Sequence, residues 1–376
     1  MLKQKEQQLN MTTREKVDDI DHQKSPSSLW FNQARLVINL PHLVNYEDTL
    51  AVVGELSRSL KLCYVLTNED QVLTNAQQQR WPKLELIPLP RERFPHHAAS
   101  MLNYLIKGQG VEIVHDLFGH LSKTCERYSH LKRPFIIIHT QRTTNWGWFS
   151  RVRPLGYQID FRYAGQRVRS LCFDTRILHA ADHITVMGPG HERDLIDGHG
   201  ISKHKVSFIP SETDCERFTP PNQLSTEREN TLLYTGAFVR PKGLDLLFDL
   251  FAQLGERDPT LRLSLIGRET TFDRRWFKDR ISSHPLKERI QVTHYLPRGE
   301  LINHYRSAKL YIFPSLFEGS PRSLREAIAC GTPAVASDIP GHRGIDPQGD
   351  FIHFAPVNDL DSWVRIITQA ISEPPD

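Results

Sequence analysis

The strongest constraint on this chain is a rhythm. From about Gln33 onward, short apolar runs alternate with stretches of helical spacing: ARLVINL, KLCYVLT, LELIPLP, VEIVHD, PFIIIHT, HITVM and KVSFIP, each bounded by polar or turn-forming residues. Short runs of this kind fit strands buried on both faces, with the intervening helices as their cover. The rhythm pauses at PSETDCERFTPPNQLSTEREN, where Pro220 and Pro221 precede a polar stretch. It resumes with TLLYTG, LRLSLIG, RIQVTHYL, KLYIFPS and TPAVAS, again separated by helical patterns. The expectation is two α/β units of similar length, each doubly wound on a parallel sheet. Ligands in such sheets bind beyond the carboxyl ends of the strands.

The boundaries expected from this reading are a flexible tail over 1–30, a first unit over 31–212 and a linker over 213–230. A second unit follows over 231–356, and a final amphipathic helix over 357–376 is expected to pack back across the units. A chain of 376 residues is long for one core and comfortable for two. Its 39% hydrophobic and 24% charged residues are those of an ordinary globular protein, and a net charge of +3 is too small to imply nucleic-acid binding. No apolar run is long enough to span a bilayer, and the polar first residues do not read as a signal peptide. The five cysteines, at 63, 125, 172, 215 and 330, are odd in number and widely spaced, which fits reduced thiols and a cytoplasmic setting. The 18 histidines show no ligand spacing such as HExxH, so no metal is expected.

The most informative segment is YIFPSLFEGSPRSLREAIACGTPAVASDIPG. A strand leads through a loop into a helix from about Arg322, with Leu324, Ala327 and Ile328 as its inward stripe and Gly331 and Pro333 ending it. Glu318, Gly319, Ser320 and Pro321 lie just before that helix. Its first-turn N–H groups lack intrahelical partners and its positive end attracts phosphate. Acidic residues near a helix start are also ordinary capping and solubility features, and spacing alone does not choose between the two. A second segment, LLYTGAFVRPKGLDLLFDLF, places Lys242 at the start of a helix with Leu244, Leu247 and Phe248 inward. A cation is unfavourable there unless something anionic is close.

The Glu318–Glu326 pair is an E-x7-E, and EGSPRSLREAIACGTPAVASD resembles the signature of family 4 of the retaining glycosyltransferases. The resemblance implies the GT-B fold: two Rossmann-like doubly wound domains facing a central cleft. It also implies a nucleotide-diphosphate sugar as co-substrate, with no other cofactor and no metal. Donor contacts then fall to Glu318 at the sugar and Glu326 at the ribose, with Pro321 and the N–H groups of Gly319, Ser320, Arg322 and Ser323 around phosphate. The family's G-R-x4-K-G pattern is matched by Lys242 and Gly243, but its arginine position is Ala237. Arg240, three residues on, is either a replacement for that arginine or a plain surface residue. Gly267 and Arg268, with the loop at Tyr295–Leu296, match positions near which family members read the base; Leu296 reads equally as core.

In the first unit His139 ends a strand and matches the family's histidine beside the donor sugar, although a strand-end histidine is as readily a satisfied polar residue. His115 is a weaker candidate. The family's Gly-Gly loop after the first strand is missing, and Asn45 and Tyr46 stand in its place. The Arg-rich span TQRTTNWGWFSRVRPLGYQIDFRYAGQRVRS carries Trp146 and Trp148, an acceptor or membrane-surface candidate. Phe161, Ala164, Val168, Leu171 and Leu178 equally fit one helical stripe with a solvated basic face. The expected activity is retaining transfer of a sugar, without metal, to a glycan, lipid-linked or small-molecule acceptor. The alternative is a nucleotide-sugar-binding protein with weak or no transfer.

Overall fold

The computed structural model describes residues 31–41, 47–68, 72–117, 121, 135–141, 175–221, 228–271, 273–294 and 296–372. Asn45, Tyr46, Trp146 and Trp148, and with them the aromatic loop of the Arg-rich span, lie outside the described residues. Contacts divide the chain into Met1–Val114 and His115–Asp376. Strand pairing forms two sheets, and the change of sheet falls between the seventh and eighth strands.

The first sheet takes its strands in the order β1 (Arg35–Asn39), α1 (Glu47–Arg58), β2 (Leu62–Asn68), α2 (Asn75–Arg80), β3 (Leu84–Leu89), α3 (Phe94–Gln109), β4 (Ile113–Asp116), β5 (Ile136–Gln141), β6 (His183–Val186), α4 (His191–His199) and β7 (Val206–Phe208). Its spatial order is β3-β2-β1-β4-β5-β6-β7. The pairs β1–β2, β2–β3, β5–β6 and β6–β7 are parallel. The apolar runs seen in sequence are these strands; Leu36, Val37 and Ile38 of β1 and Val65 and Leu66 of β2 are buried. The order turns back on itself beside β1 and β4, the switch point at which such sheets open a ligand site.

The second sheet is built from β8 (Glu229–Phe238), α5 (Leu244–Arg257), β9 (Arg262–Glu269), α6 (Arg274–Ser282), β10 (Ile290–Thr293), α7 (Arg298–Ser307), β11 (Ala308–Phe313), α8 (Arg322–Ala329), β12 (Ala334–Ser337), α9 (Pro340–Arg343), β13 (Ile352–Ala355) and α10 (Leu360–Ser372). Its order is β10-β9-β8-β11-β12-β13 with every pairing parallel, so the switch falls between β8 and β11.

Side chains show which helix covers which face. Phe238 stacks on Phe277 of α6 with ring centroids 4.4 Å apart, and Phe277 also meets Phe248 of α5. On the opposite face Thr235 shares hydrogen bonds of 2.9 Å with Tyr305 of α7 and with Tyr311 of β11. Thus α5 and α6 cover one face, and α7 and α8 the other. Helix α10 packs on α5 and on β11, β12 and β13. Its Trp363 is fully buried, with the indole N–H donated to the Pro356 carbonyl at 2.8 Å. Strand β8 begins at Glu229, inside the stretch expected as linker.

Candidate functional site

The site grows from three loops at the carboxyl ends of β8, β9 and β11. Strands β8 and β9 run in register through Gly236 and Gly267. A Cβ on Gly267 would lie 1.7 Å from the Gly236 carbonyl oxygen, so no larger residue fits. Beyond β8, Arg240–Lys242 form one 3₁₀ turn closed by Gly243 at φ +72°. A Cβ on Gly243 would lie 1.9 Å from the carbonyl oxygen of Pro314, on the chain leaving β11. The Leu316 N–H also donates to the Pro241 carbonyl at 2.9 Å. The two loops are therefore held against each other by backbone. As a consequence the Lys242 ammonium pairs with the Glu318 carboxylate, partners 76 positions apart in sequence. The Lys242 nitrogen also lies 5.7 Å from the centroid of the Phe313 ring.

Glu318 leads to the start of α8, whose N-cap is Pro321 with no side-chain cap. The first-turn amides of this helix are offered without a capping oxygen from that residue. Leu324 and Ala327 are buried, which fixes the helix on its sheet. Glu326 is nearly buried too, and it accepts a hydrogen bond of 3.2 Å from the Tyr305 hydroxyl. Burial, reinforced by the Glu326 charge, holds the Tyr305 phenol well above its ordinary pKa, so it remains a donor. Ser323 bonds Tyr311, which joins the same network through Thr235.

The backbone at Glu318 and Gly319 is approached closely from two directions. A Cβ on Gly341 would lie 2.2 Å from the Glu318 carbonyl oxygen, and one on Gly188 would lie 2.3 Å from that of Gly319. Next to Gly341, His342 is fully buried and donates Nδ1–H to the Ser337 carbonyl at 2.7 Å. Burial drives its pKa down to about 4 against the opposing pull of Glu318, so the ring is neutral at neutral pH. Arg325 ties α8 to the chain before the second sheet: it donates to Thr213 Oγ1 at 3.0 Å, to the Glu212 carbonyl at 3.4 Å and to the Ser320 hydroxyl.

The remaining sequence candidates fall in different places. Arg240 does not turn toward Lys242 and Glu318: its guanidinium lies over the Trp276 ring of α6, 5.2 Å from the centroid, with Asp245 and Asp273 as acidic neighbours. Arg268 stands exposed at the end of β9. Leu296 packs against the hydrophobic core of the second sheet, the alternative the sequence left open. His139 is buried, with Nε2 at 2.8 Å from the Gln141 amide oxygen and Nδ1 at 3.8 Å from Asp116. His115 bonds Thr140 at 2.7 Å, and burial lowers its pKa to about 4. Among the described residues no hydrogen bond or ion pair joins either histidine to the Lys242–Glu318 pair.

Gly188, Tyr305, Arg325, Gly341 and His342 were not picked out from sequence. The glycine clusters MGPGH and IPGH were the local signal for Gly188, Gly341 and His342; Tyr305 and Arg325 had none. Among the described residues, no group of three or more His, Cys, Asp or Glu side chains is placed to hold a metal ion, and no helix is long and apolar enough to cross a membrane.

Two parallel sheets of this kind are the architecture of the GT-B fold, which the solved structures below share. Residues 216–376 match the family described as "Glycosyl transferases group 1". Among curated relatives, mannosylfructose-phosphate synthase of Agrobacterium fabrum is 29% identical over 176 residues, covering 43% of this chain and 38% of the relative. D-inositol 3-phosphate glycosyltransferase of Thermobifida fusca is 27% identical over 223 residues, covering 56% and 51%. The chain thus spans about half or less of the length of these relatives. Among solved structures, sucrose-phosphate synthase of Thermosynechococcus elongatus superposes with a TM-score of 0.72 at 17% identity, covering 91% of this chain and 90% of the other. Anabaena HepE in complex with UDP-glucose gives a TM-score of 0.64 at 13% identity, covering 90% of each chain. At those identities the likeness is one of fold.

Proposed function

We propose that the protein transfers a sugar from a nucleoside-diphosphate sugar to a glycan, a lipid-linked sugar or a small sugar phosphate, with retention at the anomeric carbon. The observation that carries this reading is the pairing of Lys242 with Glu318 at the start of α8. The donor diphosphate takes the place beside the backbone N–H groups of Gly319, Ser320, Arg322 and Ser323, where Lys242 meets the negative charge that grows as the sugar–phosphate bond breaks. Glu318, released from Lys242, accepts hydrogen bonds from sugar hydroxyls, and Glu326, steadied by Tyr305, receives the ribose. With cationic and amide donors already at the leaving group, the transfer is proposed to run without a divalent ion. His139 is proposed to lie beside the donor sugar. The names of the sucrose-phosphate, mannosylfructose-phosphate and inositol-phosphate relatives support a phosphorylated small acceptor, and the UDP-glucose bound to HepE supports a uridine donor.

A donor-binding protein with little transfer is the second reading, which Ala237 favours. One experiment separates the two. The chain is incubated with UDP-, GDP-, ADP- and TDP-sugars, and both donor hydrolysis and transfer to sugar-phosphate and glycan acceptors are followed. Turnover of one donor, lost in Glu318→Gln, supports the enzyme; binding with no hydrolysis and no transfer supports the binder; binding of none of the donors overturns both.

A further inference from the structure

The pattern that led to Lys242 has a gap at Ala237, and the sheet fills that gap from the neighbouring strand. Residues that face each other in parallel strands share a face of the sheet. Ala237 of β8 faces Arg268 of β9. Two residues earlier, Thr235 points to Tyr305 and Tyr311, and Tyr305 in turn holds Glu326 of α8. One residue later, Phe238 points the opposite way, onto Phe277 of α6. Alternation along β8 and β9 thus puts Ala237 and Arg268 on the face of α7 and α8, which is the face of the Glu318 loop. Arg240, over Trp276, belongs to the other face.

We infer that Arg268 is the second cation of the donor site, gripping the diphosphate from β9 in place of a side chain that Ala237 does not have. Reach agrees with this. Strands β9, β8 and β11 are consecutive, so the ends of β9 and β11 are separated by two strand spacings, roughly 10 Å. An extended arginine from one side and Lys242 from between them close on one diphosphate. Arg268 is exposed, and among the described residues it makes no ion pair. Its neighbour Glu269 is already paired, with Arg274 at 2.6 Å. The close approach at Gly236 and Gly267 leaves the strands in tight register immediately before this point. Position 268 is therefore a fixed platform for a free guanidinium, suited to bidentate contact with phosphate oxygens.

This assignment rests on the donor-site reading above and differs from a role for Arg268 at the base. The test is titration of UDP and of uridine into the full chain and into Arg268→Gln, Ala237→Arg and the double variant Ala237→Arg/Arg268→Gln. The expected result is that Arg268→Gln weakens UDP at least 10-fold while changing uridine less than 2-fold. The double variant is expected to recover most of the loss, because both positions face the same phosphate. Equal loss for UDP and uridine would overturn the inference in favour of base recognition. Unchanged UDP affinity in Arg268→Gln, with Lys242→Met still impaired, would overturn the inference and leave the donor site standing. Failure of the parent chain and of Ala237→Arg to bind any of UDP, GDP, ADP or TDP would overturn both.

Discussion

Gly243→Ala is the substitution that most sharply exposes how this site is assembled. Gly243 has φ +72°, where an L-residue pays roughly 1–2 kcal/mol. Its added methyl would also lie 1.9 Å from the Pro314 carbonyl oxygen, and a carbonyl in the backbone cannot swing aside as a side chain can. Overpacking of that kind costs roughly 1–3 kcal/mol. Together the cost is about 2–5 kcal/mol, which at roughly 2–4 °C per kcal/mol lowers the melting temperature of the unit carrying the second sheet by roughly 4–20 °C. Relief requires the turn to move off Pro314, and Lys242 moves with it, so nucleoside-diphosphate affinity is expected to fall at least 10-fold. Gly299→Ala is the internal control. It sits in the first turn of α7 with nothing within 4 Å of its added methyl, so a change of no more than about 1 kcal/mol, toward greater stability, is expected. Thermal unfolding by calorimetry and nucleotide titration read both effects. If Gly243→Ala melts within 1 °C of the parent and binds nucleotide as tightly, the backbone clamp between the two loops does not place Lys242.

Lys242→Met should lower turnover by roughly 10²–10³ through loss of a charge contact at the leaving group, read by steady-state kinetics with saturating donor. Tyr305→Phe removes the donor to Glu326 and one partner of Thr235, an expected cost of about 1–2 kcal/mol by urea denaturation together with weaker nucleotide binding. His342 titrates at about 4 in the folded chain against 6.5 unperturbed. Its contribution is therefore complete above pH 6.5, and it is lost as pH falls toward 4, because the unfolded chain takes the proton first. The loss is at most about 3 kcal/mol, and His342→Asn should flatten that part of the stability–pH curve relative to the parent.

Much of the fold was legible because burial on both faces writes itself into sequence: runs such as KLYIF and LRLSLI have few alternative places to go in a polypeptide. The loop carrying Glu318 and the turn carrying Lys242 were legible for a related reason, since glycine spacing and a helix start are local signals. What escaped was contact between distant segments. Nothing near Gly243 names Pro314, and nothing near Glu326 names Tyr305, because those pairs are set by strand order, which no local pattern encodes. Arg240 shows the same limit from the other side. Proximity in sequence made it the natural replacement at Ala237, but strand alternation and the turn after β8 send it over Trp276. Arg268 is 31 positions from Ala237, yet one strand spacing away. Leu296 shows that apolar residues in a loop are claimed first by the core.

The central claim is that the Lys242–Glu318 pair beside the start of α8 marks the diphosphate site. A crystal structure with the best-binding nucleoside diphosphate tests this directly. The account predicts phosphate oxygens within hydrogen-bond distance of backbone N–H groups among Gly319, Ser320, Arg322 and Ser323 and of the Lys242 nitrogen, with Glu318 released from its partner. Nucleotide bound elsewhere while Lys242 stays on Glu318 would contradict it.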